Sequence, residues 1–148
     1  MAIARTDTPV PSGCTCLRLR KAARRITQIY DQQMAAHGLT ITQYGLLTHL
    51  KRHDGIGIGA LAEKLVMDPT TLTRNLRPLE RAGLTRLVPD PHDRRSRCLH
   101  LTAEGRAVLE AARTAWARAQ RHVEEALGAP DTAVLHAALD RVLQRLGP

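Results

Sequence analysis

The sequence predicts a mainly α-helical fold with one small β-hairpin, and three observations carry this prediction. Apolar residues recur at intervals of three and four along most of the 148-residue chain, which is the spacing of helices with one buried face. Aromatic residues make up 2% and phenylalanine is absent, so leucine, alanine, valine and isoleucine must build the core. Two short segments, 84–88 and 97–101, are typical of strands joined by a polar turn.

A flexible arm and two helices are predicted before the middle of the chain. Residues 1–13 contain two prolines and a glycine without an apolar pattern, and are expected to form a flexible arm. A long helix follows within 14–38, and Gly38 ends it, because glycine readily adopts the left-handed conformation that closes many helices. Thr40 or Thr42 is expected to cap the next helix.

The middle of the chain predicts two short helices before the hairpin. The glycine-rich segment 54–59 interrupts the preceding helix and allows a short extended stretch. A short helix over 60–65 follows, and Asp68 or Pro69 opens the next one, since proline suits a first helical position. Pro78 lies inside that helix and is expected to remove one backbone hydrogen bond and to kink or loosen the helix.

Two further helices are predicted after the hairpin. Thr102 begins a long alanine-rich helix, which the segment 128–130 breaks. Asp131 or Thr132 is expected to cap the last helix. The apolar stripe of that helix consists of Leu135, Leu139, Val142 and Leu146.

The charge balance favours a polyanionic partner. The chain has 22 Lys and Arg against 14 Asp and Glu, a net charge of +8, and nucleic acid is the commonest partner of such a surface. No apolar run approaches the roughly 20 residues that cross a bilayer, and the first residues lack the apolar stretch of a signal peptide. With three cysteines, a disulfide framework is not expected, and the cytoplasm is the expected location.

The order helix, short helix, helix and hairpin is that of a winged helix-turn-helix. A recognition helix of this kind presents small polar and basic side chains to DNA while its other face packs inward. A basic hairpin tip can enter a minor groove, where the negative potential favours arginine. The residues expected to contact DNA on these grounds are Thr70, Thr71, Thr73, Arg74, Arg77, His92, Arg94, Arg95 and Arg97.

Several ordered motifs resemble the MarR family of bacterial regulators over roughly 17–146. The most specific stretch is 90–105, which is similar to the family's Asp-x-Arg wing followed by its Leu-Thr-x-x-Gly helix entry. The segments 39–47, 60–65 and 79–84 also resemble the family's motifs in the types of residue they contain. The ordered series is a strong signal, whereas any one of the matches alone would be weak.

The resemblance implies roles for single residues. Arg95 would be the minor-groove arginine, and Asp93 the carboxylate that positions the wing. Thr71, Thr73 and Arg74 would lie in the major groove. Asp93 therefore joins the residues expected at the DNA interface.

The resemblance also implies a homodimer held by the first helix and the last two. Their apolar stripes agree, because they are too long for the small winged domain to bury. A two-fold dimer predicts a pseudo-palindromic double-stranded operator with half-sites about one helical turn apart. The expected organisation is a flexible arm (1–13), an N-terminal dimerisation helix (14–38), a DNA-binding winged helix-turn-helix domain (39–101) and C-terminal dimerisation helices (102–148).

An effector bound between the winged domain and the dimer helices is expected to change the separation of the two recognition helices and so to lower DNA affinity. A basic run on the first helix has three interpretations: an exposed face, a site for an anionic effector such as an aromatic carboxylate or acyl thioester, or extra phosphate contacts. The candidate effector-binding residues are Arg18, Lys21, Arg25, Ile26, Tyr30, Tyr44, Leu47, His49 and Trp116.

Three cysteines are candidate redox sensors. Cys14 and Cys16 begin the first helix, whose dipole stabilises thiolates and would raise their reactivity. Cys98 lies in the second strand, and inert cysteines or a metal site are the alternatives. His49 and His53 have a spacing that can hold a metal, but a surface or helix-end role is expected for both. Neither a metal nor another cofactor is expected.

The resulting hypothesis is a sequence-specific transcriptional regulator, a repressor released by an anionic or aromatic small molecule or by thiol oxidation. A non-specific architectural DNA-binding protein and a winged-helix protein-interaction module are the alternatives. An enzyme is disfavoured, because the sequence has no phosphate-binding loop, no dinucleotide-binding glycine motif and no His-Glu-x-x-His. Its two serines, Ser12 and Ser96, lie in loop-like segments that offer no partner for a nucleophile.

Overall fold

The computed structural model describes residues 13–147, which form helices around a small three-stranded sheet. The predicted fold class, mainly α with a β-hairpin wing, is confirmed. The predicted arm lies outside the described residues except for Gly13. In chain order the elements are α1 (Thr15–Met34), α2 (Ile41–Arg52), β1 (Ile56–Gly57), α3 (Ile58–Lys64), α4 (Pro69–Arg81), β2 (Thr85–Pro89), β3 (Arg97–Leu101), α5 (Ala103–Leu127) and α6 (Ala129–Arg145).

The starts of α2 and α4 follow the predicted capping chemistry. The Thr40 hydroxyl accepts a hydrogen bond from the Gln43 N–H at 3.2 Å, and the Gln43 side chain accepts one from the Thr40 N–H at 2.9 Å, which forms a capping box. Asp68 caps α4 by accepting from the Thr71 N–H at 2.9 Å, and Pro69 occupies the first turn. These local signals explain why both boundaries were predictable.

The last helix begins earlier than predicted. Gly128 alone ends α5, and α6 starts at Ala129, so neither Asp131 nor Thr132 is its cap. Pro130 lies in the first turn of α6, where a missing N–H costs nothing because that group has no partner inside the helix. The proline is therefore part of a start signal rather than of a break.

Pro78 does not interrupt α4. The helix continues to Arg81, and the Ala82 N–H donates to the Pro78 carbonyl at 3.0 Å. Proline lacks the N–H that would bond to the carbonyl of Arg74, so the expected loss of one ladder bond stands. Pro78 is exposed, and the helix continues through it without a break.

The hairpin is antiparallel, and a third short strand extends it. β2 pairs with β3 from Thr85 opposite Leu101 to Pro89 opposite Arg97. β1 pairs with the other side of β3, with Ile56 opposite Leu99. The predicted extended stretch in the glycine-rich segment is thus confirmed, and it places the start of α3 beside the base of the hairpin.

The hydrophobic core belongs mainly to the winged domain. α5 closes this core with Leu109, Ala112 and Ala115, whereas α1 buries only Tyr30 and Met34. The largest fully buried side chains are Met34, Leu46, Leu47, Leu50, Leu61, Leu72, Leu79 and Leu99.

No helix among residues 13–147 is long and apolar enough to cross a membrane.

Candidate nucleic-acid interface

Helix α4 has the two faces that a recognition helix requires. Leu72, Leu76 and Leu79 are buried against the core, which fixes the orientation of the helix. The opposite face forms a concave surface of about 370 Å³. It brings together four of the five predicted contact residues of this helix. Its lining residues are Pro69, Thr70, Thr73, Arg74 and Arg77.

The fifth predicted residue, Thr71, is engaged in capping. Its hydroxyl donates to the Asp68 carboxylate, which also accepts from the Thr71 N–H. Hydrogen bonds from the Thr71 hydroxyl and N–H, aided by the charge of Arg74, hold the pKa of Asp68 below its usual value. Asp68 therefore remains ionised at neutral pH and fixes the start of the helix.

Asp93 organises the turn at the tip of the wing. Its carboxylate accepts hydrogen bonds from the Arg95 N–H at 3.0 Å and from the Ser96 hydroxyl at 2.8 Å. These two bonds hold the pKa of Asp93 below its usual value. The contacts match the positioning role that the resemblance implied, since they fix the backbone on which Arg94 and Arg95 are carried.

A second carboxylate closes the tip from the other side. Asp90 accepts from the His92 N–H at 2.8 Å, and its own N–H donates to the Ser96 carbonyl at 2.9 Å. Arg97 differs from the tip arginines, because its guanidinium donates to the Leu87 carbonyl at 3.4 Å across the hairpin. Arg97 thus lies along the ribbon, whereas Arg94 and Arg95 are exposed at its end.

In the described part of the chain, the arginines of α4 and of the wing are free of close ion pairs. Among residues 13–147, no ion pair within 4.0 Å involves any of them. Unpaired cations on one surface create a positive potential that attracts phosphates. The ion pairs of residues 13–147 all involve other side chains: Lys51–Glu110, His100–Asp54, Arg106–Asp54 and Arg113–Glu110.

A cleft lies between the wing and the start of α3, and the sequence did not predict it. It has a volume of about 540 Å³ and joins a glycine-rich segment to the basic hairpin. The glycines at 57 and 59 were visible as a helix interruption, but nothing in the sequence placed them beside Arg95. The lining residues are Gly57, Ile58, Gly59, Ala60, Asp90, Arg95, Ser96 and Arg97.

Asp54 was also missed, and it joins three elements near the base of the wing. Its carboxylate accepts from the Leu101 N–H at 3.1 Å and lies 3.4 Å from His100 Nδ1 and 4.0 Å from an Arg106 nitrogen. Burial raises the pKa of Asp54, but the hydrogen bonds from Leu101 and His100 and the nearby positive charges outweigh it and lower the value overall. Asp54 therefore links the turn after α2 to β3 and to α5.

The aromatic candidates for effector binding are brought together in part. Tyr44 of α2 and Trp116 of α5 stack with ring centroids 6.4 Å apart and an interplanar angle of 12°. The Tyr30 hydroxyl donates to Gln120, so this side chain bridges α1 to α5. Burial, and then the charge of Glu124, raises the pKa of Tyr30. These three rings therefore lie on α1, α2 and α5.

The remaining effector candidates are dispersed. Leu47 has no exposed surface and belongs to the hydrophobic core. The prediction that it contacts an effector is therefore wrong. His49 is half-buried, with Nδ1 2.8 Å from the Gly45 carbonyl of its own helix. Ile26 is half-buried. The exposed basic candidates on α1 are Arg18, Lys21 and Arg25.

The cysteines occupy three different environments and are free thiols. Cys14 is the N-cap of α1 and its sulfur accepts from the Leu17 N–H at 3.4 Å, while Cys16 is exposed. Cys98 is buried, and this burial, with the negative charge of Asp90, raises the pKa of its thiol. A raised pKa disfavours the reactive thiolate, which argues against Cys98 as a sensor. Residues 13–147 contain no cluster of three or more potential metal ligands, and His53 is exposed.

Comparisons with known proteins agree with the geometry. The sequence profile of the MarR family matches residues 39–96. The transcriptional activatory protein BadR of Rhodopseudomonas palustris is 35% identical over 96 residues, which cover 63% of this chain and 55% of BadR. The transcriptional regulator HosA of Escherichia coli is 36% identical over 97 residues, covering 62% of this chain and 72% of HosA.

A solved structure extends the similarity to nearly the whole chain. The crystal structure of the M. tuberculosis transcriptional regulator MosR in complex with DNA is 33% identical, with a TM-score of 0.77. The match covers 91% of this chain and 99% of that one. The fold and the basic face define a winged helix-turn-helix protein. The chain belongs to the MarR family.

Proposed function

We propose that this protein is a homodimeric, sequence-specific DNA-binding transcriptional regulator. The observation that carries the proposal is the pairing of two basic surfaces, α4 and the wing tip, whose arginines have no ion-pair partner among residues 13–147. The complex of the related MosR with DNA supports it. In this proposal α4 enters the major groove and Arg95 reaches the adjacent minor groove.

The proposed dimer rests on the apolar surface of the terminal helices. Leu143 and Leu146, which are 59% and 79% exposed, are three residues apart and therefore share one face at the end of α6. Large apolar side chains left in water at this density mark a surface that another chain covers. A second copy is the natural occupant, because a two-fold axis would present two recognition helices to two half-sites of one operator.

The effector is proposed to be an aromatic or anionic small molecule that binds near the Tyr44–Trp116 stack. The stack joins α2 of the winged domain to α5, and Trp116 is 37% exposed. A ligand that inserts there would change how the two helices pack and so the separation of the recognition helices in the dimer. The fall in DNA affinity would be limited by how much more tightly the ligand binds the altered arrangement than the DNA-binding one.

Thiol oxidation at the start of α1 is a second proposed release mechanism. Cys14 and Cys16 are separated by one residue, and the Cys14 sulfur caps the helix. Oxidation of Cys14 would remove that acceptor from the Leu17 N–H and loosen the first turn of a helix proposed to form the dimer. Replacing both cysteines with serine tests this, because DNA binding of the variant should then resist peroxide.

The proposal includes repression as the regulatory effect, a location in the cytoplasm and the absence of catalysis. BadR is named as an activatory protein, so the direction of regulation needs its own measurement. A reporter gene placed behind the intergenic DNA beside this gene should be expressed more strongly when the gene is deleted. Lower expression in the deletion strain would make the protein an activator.

A titration of the purified protein with DNA tests the function. The intergenic DNA beside its own gene is labelled, and an unrelated duplex competes at fixed salt. A specific regulator should prefer its own DNA by a factor of about 1,000 or more. Equal affinity for both duplexes would indicate an architectural protein, and absence of binding to either would indicate a protein-interaction module.

A further inference from the structure

The recognition helix offers few groups that are free to read bases. Its concave surface is lined by Thr70 and Thr73 together with Arg74 and Arg77. These positions are spaced by three and four residues, so they share one face of the helix. Which bases they can read depends on the hydrogen-bonding groups that the helix itself has not already used.

The hydroxyl of Thr73 is directed to the helix backbone. It donates to the Pro69 carbonyl at 2.8 Å, which is the usual bond of a helical threonine to the preceding turn. With its proton engaged in this way, Thr73 presents its methyl group and no donor to the exterior. In a major groove the partner of a methyl group is the C5-methyl of thymine.

The one amide of the helix is directed away from the concave surface. Asn75 is half-buried and its Nδ2 lies 3.7 Å from the Met67 sulfur. It lines a neighbouring cleft with Asp31 and Gln43, and this cleft shares only Arg74 with the concave surface. Asparagine and glutamine are the residues that read adenine with two hydrogen bonds, and α4 contains no glutamine.

The charged donors on this face are the two guanidinium groups, which lie beside the exposed hydroxyl of Thr70. Neither Arg74 nor Arg77 has an ion-pair partner within 4.0 Å in the described part of the chain. Arg74 is close enough to Asp68 to lower the pKa of that carboxyl, so Arg77 is the less constrained of the two. A guanidinium fork pairs with the O6 and N7 acceptors of guanine.

We propose that each operator half-site is read by guanine contacts of Arg77 and Arg74 and by a thymine methyl contact of Thr73, without an amide contact to adenine. This inference rests on the proposed function. The two arginines are three residues apart, about 4.5 Å along the helix axis, so the guanines they read lie one or two base pairs apart. The bases that these three side chains read are therefore guanine and thymine.

The test begins with selection of tight-binding duplexes from a random pool by the full-length protein. Single bases of the best duplex are then replaced, 7-deazaguanine for guanine and uracil for thymine, which remove the N7 acceptor and the C5-methyl respectively. Affinity should fall about tenfold at one or two guanines per half-site and about threefold at one thymine. The same replacements outside the half-sites serve as controls and should leave the affinity unchanged.

Protein variants assign these losses to side chains. Arg77→Ala should abolish sensitivity to 7-deazaguanine at one position, because alanine has no donor for the N7 acceptor. Thr73→Ser should abolish sensitivity to uracil, whereas Thr73→Val, which keeps a methyl group, should retain it. Asn75→Ala should leave the selected sequence unchanged. Circular dichroism confirms that each variant is folded before its affinity is measured.

The outcomes separate this inference from the proposed function. Selection of a clear sequence that is insensitive to both replacements, or loss of an adenine preference in Asn75→Ala, overturns the base assignment while a DNA-binding regulator remains. Failure to enrich any sequence overturns the proposed function and the base assignment with it.

Discussion

The winged domain and helix α6 bury their apolar residues to very different degrees. Leu46, Leu61 and Leu99 of the winged domain are at most 1% exposed. On or beside α6, Leu143 and Leu146 are mostly exposed, and the one buried residue of that helix is a threonine. The winged domain therefore has the packing of a complete core, whereas α6 leaves large apolar side chains exposed.

This difference separates two causes of stability. The fold of the winged domain depends on contacts within one chain, whereas the exposed apolar side chains at the end of α6 are proposed to be covered by a second copy. Changes in the first region should be detected as a lower free energy of unfolding, and changes in the second as a loss of association. Four predictions test that division, in order of decreasing effect.

Leu143→Asp should dissociate the proposed dimer. A carboxylate placed in an apolar interface is costly to desolvate, and a monomer can contact only one half-site. We expect operator affinity to fall about 100-fold or more and sedimentation to show a monomer. Gln144→Asp is the matched control, since it adds the same charge at the neighbouring exposed position. A dimeric Leu143→Asp variant would contradict the assignment of α6 to the interface.

Gly105→Ala should destabilise the winged domain. A Cβ at this position would lie 2.1 Å from the Leu84 carbonyl oxygen and 2.7 Å from Leu101 Cδ1, so α5 would have to move away from β2. We expect a loss of about 3 kcal/mol in the free energy of unfolding, measured with urea. Gly45→Ala is the control, because its Cβ would meet no atom within 4 Å and alanine favours the helix. Equal effects of both substitutions would refute the close approach.

Asp54→Asn should weaken the link between the winged domain and α5. The side chain is 45% exposed, so the loss should be modest, about 1 kcal/mol. Because the pKa of Asp54 is lower in the folded protein, its contribution is present above the ordinary aspartate pKa and is lost as the pH falls through the folded value.

Urea unfolding at several pH values checks this prediction. The stability difference between the native protein and Asp54→Asn should be constant near neutral pH and should shrink below about pH 4. A difference that persists unchanged at pH 2 would show that the carboxylate charge is not its cause.

Val66→Gly should slightly stabilise the turn between α3 and α4. Val66 has a φ of 51°, a conformation that β-branched residues rarely adopt, and its side chain is 77% exposed. Relief of that strain should raise the free energy of unfolding by about 0.5–1 kcal/mol, less than the strain itself because glycine is more flexible when unfolded. Val66→Ile keeps the branched side chain and should bring no gain. Destabilisation by glycine would contradict a strained turn.

The predictability of the elements follows the range of the interactions that define them. Thr40 with Gln43, and Asp68 with Pro69, are neighbours in the chain, so the starts of α2 and α4 were predicted correctly. Pro130 was misinterpreted because a proline marks either a break or a first turn, and only the backbone geometry distinguishes them.

The candidate site shows the same limit. The basic side chains of α4 and the wing could be found from spacing and from the family resemblance. The Asp54 link to Leu101 joins residues 47 apart in sequence, and no local pattern marks it.

The most direct test of the central proposal is operator binding by a variant in which Arg74 and Arg95 are both changed to alanine. Arg113→Ala is the control, because this exposed arginine lies on α5 and pairs with Glu110. We predict that the double variant remains folded and dimeric but loses operator affinity by about 100-fold or more, whereas the control binds normally. Undiminished binding by the double variant would contradict the assignment of α4 and the wing as the DNA-binding surface.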